Sequence, residues 1–69
     1  MINMSTAQIV SKFADVSEPA LISLKSKGYR FIIWNDHDKN FNPLFAKSFD
    51  QTVSLAKDIG KGALAAIMI

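Results

Sequence analysis

Tyr29-Arg30-Phe31-Ile32-Ile33-Trp34, followed at once by Asn35-Asp36-His37-Asp38-Lys39-Asn40, is the stretch that decides the fold class. Its first half is aromatic and β-branched, the composition that packs well on a pleated surface, and it predicts a strand. Its second half is a run of turn-forming polar residues that ends the strand and reverses the chain. A second strand around Pro43–Lys47 then completes a hairpin. Pro43 would be its first residue, where a missing backbone N–H does no harm. Along the first strand Arg30, Ile32 and Trp34 share one face, and Tyr29, Phe31 and Ile33 share the other. Both faces are largely apolar, so the aromatics belong to a core, and a face left open would be a protein-binding patch.

Helix signals flank the hairpin. Upstream, Ser5 and Gln8 have the S-x-x-Q spacing of a capping box, in which each side chain satisfies an amide left free at a helix start. Ile9, Val10, Phe13 and Ala14 then form one helical face, and Asp15-Val16-Ser17 interrupts it. Ser17 is a good N-cap for a second helix, with Glu18 at the positive end of the helix dipole and Pro19 tolerated in the first turn. Leu21 and Leu24 face inward together. Lys25 and Lys27 lie near the C-terminal end, where cations are favoured, and Gly28 supplies a left-handed stop.

Downstream, Ser48 and Gln51 repeat the capping spacing. Phe49, Thr52, Val53, Ala56 and Ile59 follow as a helical stripe that stops at Gly60-Lys61-Gly62. Ala63–Ile69 is continuously apolar. Continuing the helix through the glycines would cost ~1 kcal/mol for each, so a buried strand is the better reading. The expected fold is therefore α+β over a single domain, residues 1–69, in the order α-α-β-β-α-β. A small three-stranded sheet is covered by helices. If the last strand pairs beside the first, all neighbours are antiparallel. Apolar on both faces, that strand needs cover on both, from helices or from a partner subunit.

Composition narrows the function. A chain of 69 residues buries a modest core and has a thin stability margin. It contains no cysteine and a single histidine, His37, which removes disulfides, thiolate metal sites and structural zinc. With 49% of residues apolar, self-association as a homodimer is the expected route to extra stability. Seven lysines and Arg30 oppose Asp15, Glu18, Asp36, Asp38, Asp50 and Asp58, a net charge of +2 that permits a nucleic-acid partner without demanding one. No apolar run approaches the ~20 residues that span a bilayer. Nor does the N-terminus read as a secretory signal. The expectation is a cytoplasmic protein with no membrane partner.

Catalytic chemistry finds little support. Asp36, Asp38 and Asn40 match the opening of a calcium loop, but Phe41 stands where that loop needs glycine and Lys47 where it needs glutamate. A hairpin tip gives His37 and its neighbouring carboxylates neither burial nor an orienting third group for acid–base work. No serine has a nucleophile-elbow or S-x-x-K setting, and no glycine-rich phosphate loop exists. The expectation is a non-enzymatic protein with no metal and no cofactor.

The remaining signal is the helical pair. Val10, Ala14, Val16, Leu21 and Leu24 fall where two helices crossing at ~90–120° about a short turn need their interior positions. The turn itself ends in Val16-Ser17. The stretch Val10–Leu24 thus resembles the helix-turn-helix signature. With a following hairpin placed like a wing and a helix opening at Ser48, residues 5–59 are similar in outline to the small winged helix-turn-helix proteins of the excisionase type. The resemblance implies a DNA-binding regulator using residues 5–27, with Glu18 and Ser23 on the outward face of the second helix. Beside it, Lys25, Lys27 and Arg30 are the densest cations in the chain and form the expected rim of a DNA or partner-binding surface. The alternative is a protein-binding inhibitor or interaction module of phage or mobile-element type that occludes a host protein's surface.

Overall fold

Ile32 and Trp34 are buried on one side of the hairpin's first strand, and Phe31 and Ile33 lie on the other. That alternation organises the whole molecule. The computed structural model describes all of residues 1–69. Its elements are β1 (Ile2–Met4), α1 (Thr6–Lys12), α2 (Glu18–Ser26), β2 (Phe31–Asn35), β3 (Leu44–Ala46), α3 (Phe49–Ile59) and β4 (Ala63–Met68). The four strands form one sheet in the order β1-β4-β2-β3. Strand β2 is central and antiparallel to both neighbours, with Phe31 opposite Ala46 and Ile32 opposite Ala66.

One layer of helices covers each face. Ile9 of α1 and Leu21 of α2 pack with Ile32, Trp34, Ala66 and Met68 into the main core cluster. Helix α3 lies against β2, β3 and β4, on the face that carries the fully buried Ile33. Its Thr52 is buried as well, and the hydroxyl donates to the Ser48 carbonyl at 2.8 Å, so no polar group is stranded there. No helix is long and apolar enough to cross a membrane.

The local signals act as their chemistry requires. Ser5 Oγ accepts from the Gln8 N–H at 3.3 Å while Gln8 Oε1 accepts from the Ser5 N–H at 2.9 Å, a complete capping box. Ser17 Oγ accepts from the Ala20 N–H, and Gly28, at φ 98°, closes α2. Ser48 Oγ accepts from the Gln51 N–H, but Gln51 Oε1 reaches one residue further back, to the Lys47 N–H. Ala63–Met68 is a strand, as the glycines before it imply.

Several expectations are corrected. The sheet has four strands, not three, and the order is β-α-α-β-β-α-β. Strand β4 does pair antiparallel with β2, but β1 adds to its other edge in parallel, Ile2 opposite Ala66 and Met4 opposite Met68. Three residues centred on Asn3 are too few to print an alternation, and their partner lies at the far end of the chain. Strand β2 begins at Phe31, so Tyr29 belongs to the helix–strand connection and packs on the Ile32 and Trp34 side, not with Phe31. Helix α1 ends at Lys12, which leaves Ala14 exposed in the turn and not in the interior. Phe49, at the first residue of α3, overhangs the sheet and is 58% exposed.

Candidate functional site

The junction of α2 and β2 is built by backbone hydrogen bonds. The Gly28 N–H donates to the Lys25 carbonyl and the Tyr29 N–H to the Leu24 carbonyl, both at 3.0 Å, which turns the chain out of the helix. The Arg30 N–H donates to the Ala46 carbonyl at 3.0 Å and locks the chain onto β3. Lys25 is half-buried, whereas Lys27 and Arg30 are exposed. The three expected residues thus follow one another along this one connection.

The fold adds a fourth cation. Because Phe31 is opposite Ala46, the antiparallel register sets Lys47 across from Arg30. The Lys47 Nζ lies 4.9 Å from the centre of the half-buried Tyr29 ring, a cation–π contact that holds the ammonium at the junction. A hairpin turning at residues 35–40 pairs position 30 with position 45, so Lys47 enters the cluster only because the pairing is centred one residue further along.

None of the side-chain hydrogen bonds in the molecule engages a lysine or arginine side chain, so all four cationic heads are available to a partner. Asp36 and Asp38 lie beyond the far end of β2, roughly 17 Å away at ~3.3 Å per residue. The cationic junction thus lies at one end of β2 and the mixed-charge hairpin loop, with Asp36, Asp38 and Lys39, at the other.

Glu18 and Ser23 stand differently. Glu18 is the first residue of α2 and is exposed, about 10 Å from Lys25 along the helix axis. It lies outside the basic cluster. Ser23 is exposed one turn before Lys27, and its carbonyl accepts from the Ser26 hydroxyl at 2.7 Å. Ile22 sits between them on the outward surface, 57% exposed. The connection Phe13–Ser17 joins α1 to α2, with the Val16 N–H donating to the Phe13 carbonyl at 2.8 Å. Leu21 is buried, and Val10, Val16 and Leu24 are half-buried.

The hairpin loop, where Asp36, Asp38 and Asn40 matched the start of a calcium loop, is folded by its own side chains. Asn35 Oδ1 accepts from the His37 N–H at 2.9 Å and Asp38 Oδ1 from the Asn40 N–H at 3.0 Å. No group of three or more histidine, aspartate or glutamate side chains converges anywhere in the molecule. Comparison with protein-family models, curated proteins and solved structures finds no match to this chain.

Proposed function

We propose that the protein is a small, non-enzymatic, cytoplasmic regulatory binding protein that engages DNA through α2 and the basic junction. The observation that carries this reading is the clustering of Lys25, Lys27, Arg30 and Lys47 at one end of the molecule, none hydrogen-bonded to a carboxylate. Phosphate oxygens are the natural ligands of such a cluster, and their contacts position a protein on the duplex without reading its sequence. Ser23 and Glu18 would then lie along the groove, where a serine hydroxyl serves either base type and a glutamate accepts from cytosine.

A titration of duplex DNA followed by fluorescence anisotropy at two salt concentrations tests the reading. If all four cations meet phosphates, log K should fall with log salt at a slope of about −3 to −4. Absence of binding at low salt would overturn it.

A second reading is supported by one feature of α2. Its exposed surface carries Ile22 and no arginine, asparagine or glutamine for bidentate base contacts. An apolar side chain beside a basic rim suits a protein partner, whose surface this chain would occlude. In that case rim charges should alter the association rate more than the dissociation rate.

A further inference from the structure

The two edges of the sheet are finished differently. Strand β3 is entered from Pro43 and left at Lys47, whose ammonium is held over Tyr29. Proline and lysine are among the devices that keep a free edge from pairing. The other edge, β1, is Ile2-Asn3-Met4 and has neither. The Ile69 N–H donates to the Met4 carbonyl at 3.0 Å, so Met4 turns its backbone groups towards β4. Successive residues of a parallel pair alternate in this respect. The N–H and C=O of the exposed Asn3 therefore point away from the sheet, with no strand to meet them.

No charged side chain lies along this edge. The first in the chain is Lys12 and none follows Lys61, so β1 and β4 are both free of them. Met1, Ile2 and Leu64 are exposed apolar residues in this zone. On the α3 face an uncharged groove of about 340 Å³ runs beside the edge, between Phe49, Val53 and Ala56 of α3 and Ala65 of β4, with Met1 at its rim. An unlike partner is steered and oriented by opposite charges, and this edge offers none. A second copy has the reverse need. A two-fold contact sets each group near the axis against its own image, and only an uncharged patch avoids like-charge pairs.

We propose that β1 is the edge on which two copies of this chain pair, antiparallel about a two-fold axis at Asn3. The Asn3 N–H of each copy donates to the Asn3 carbonyl of the other, and one sheet runs through both. This register sets Ile2 of each copy opposite Met4 of the other. Ile2 and Met4 lie on one face of β1, the face on which Met4 packs against the main core, so both cross-strand pairs are apolar. On the α3 face the two Asn3 side chains stand opposite one another. A carboxamide both donates and accepts, so it is complementary to its own image, as neither aspartate nor lysine is. The two Met1 amines fall on opposite sides of the axis, about 13 Å apart, where physiological salt screens their repulsion. A three-residue strand with a few apolar side chains gives a contact at the small end of specific interfaces, below about 1,200 Å² in total, so the dimer is a weak one. Nothing in it depends on the DNA reading.

Sedimentation velocity of the full chain, from micromolar to millimolar concentration, is the test. The expected result is a reversible monomer–dimer equilibrium with a dissociation constant inside that range. Amide chemical-shift changes on dilution should centre on residues 1–4. Asn3→Asp and Asn3→Lys each set like charges opposite one another and should weaken dimerisation about tenfold or more. Mixed in equal amounts, the two variants should associate again, because aspartate then faces lysine, and this heterodimer should weaken as salt rises. Asn3 is exposed, so neither substitution disturbs the core. Rescue on mixing requires both variants to be folded, and the shift map on the unaltered chain stands without them. A chain that stays monomeric at every concentration, shifts centred elsewhere, a dimer that survives both substitutions, or variants that fail to associate when mixed would overturn the proposal.

Discussion

Gly62 lies so close to Asn35 that a β-carbon on it would stand 2.7 Å from the Asn35 Oδ1, and 2.8 Å from Cγ and Nδ1 of His37. The same glycine has φ 93°, and its carbonyl accepts from the Asp36 N–H at 2.8 Å. Gly62 therefore closes α3 into β4 and also serves as the anvil on which the hairpin loop is folded. Gly28 makes a fair comparison, since its φ is 98° but nothing lies within 4 Å of its missing β-carbon. Gly28→Ala should cost only the left-handed backbone penalty, about 1–2 kcal/mol. Gly62→Ala should cost clearly more, because Asn35 and His37 must also move. Urea denaturation of the two variants checks this, and equal losses would mean that the loop yields freely.

Leu21 and Ile22 are sequence neighbours with opposite fates. Leu21 is fully buried against the sheet, and Ile22 is 57% exposed. Leu21→Ala should cost about 2–5 kcal/mol, enough to unfold much of a domain this small. Ile22→Ala should stay within about 0.5 kcal/mol. The pair fixes which face of α2 is turned outward, by thermal or chemical denaturation alone. If Ile22→Ala proved the more damaging, α2 would be rotated and its proposed binding surface lost.

Much of this architecture is legible in the residues because it is set locally. The three serine caps, the glycine after α2 and the Phe31–Trp34 alternation each act within a few residues of themselves, and each is found where its chemistry put it. What escaped was decided at long range. Strand β1 exists because Ile2–Met4 finds the free edge of β4, and no signal within Met1–Met4 encodes that partner. The basic junction was visible as Lys25, Lys27 and Arg30, but Lys47 joins it only through hairpin register. The groove beside β1 escaped for the same reason. Its walls are α3 and two strands from opposite ends of the chain.

Phe13 and Trp34 meet at an interplanar angle of 69°, the edge-to-face arrangement that aromatic quadrupoles favour. Phe13 also caps α1, its N–H donating to the Ile9 carbonyl at 2.8 Å, so the ring is anchored through the backbone. A double-mutant cycle of Phe13→Leu and Trp34→Leu should give a coupling of about 0.5–1.5 kcal/mol. Phe13→Leu alone should move the Trp34 emission to the red, since the indole loses one of its covers. A coupling of zero would mean that the two rings touch without energetic consequence.

Lys47 supplies the sharpest check on the basic junction, because only the fold connects it to α2. It lies beyond β3, and its ammonium is held over the Tyr29 ring at 4.9 Å. If the cluster binds phosphates, Lys47→Ala should lower DNA affinity similarly on unrelated sequences and reduce the salt slope by about 1. Lys57 is the natural control, being exposed in the last turn of α3, about 14 Å along the helix from Ser48. Lys57→Ala should leave both quantities unchanged. The loss of the cation–π contact in Lys47→Ala should cost stability by no more than about 1 kcal/mol, so weaker binding cannot be ascribed to unfolding. Equal effects from the two lysines would show that net charge, not this junction, governs association. No effect from either would leave Lys47 a solvated neighbour of Tyr29 and shift the balance to a protein partner at Ile22.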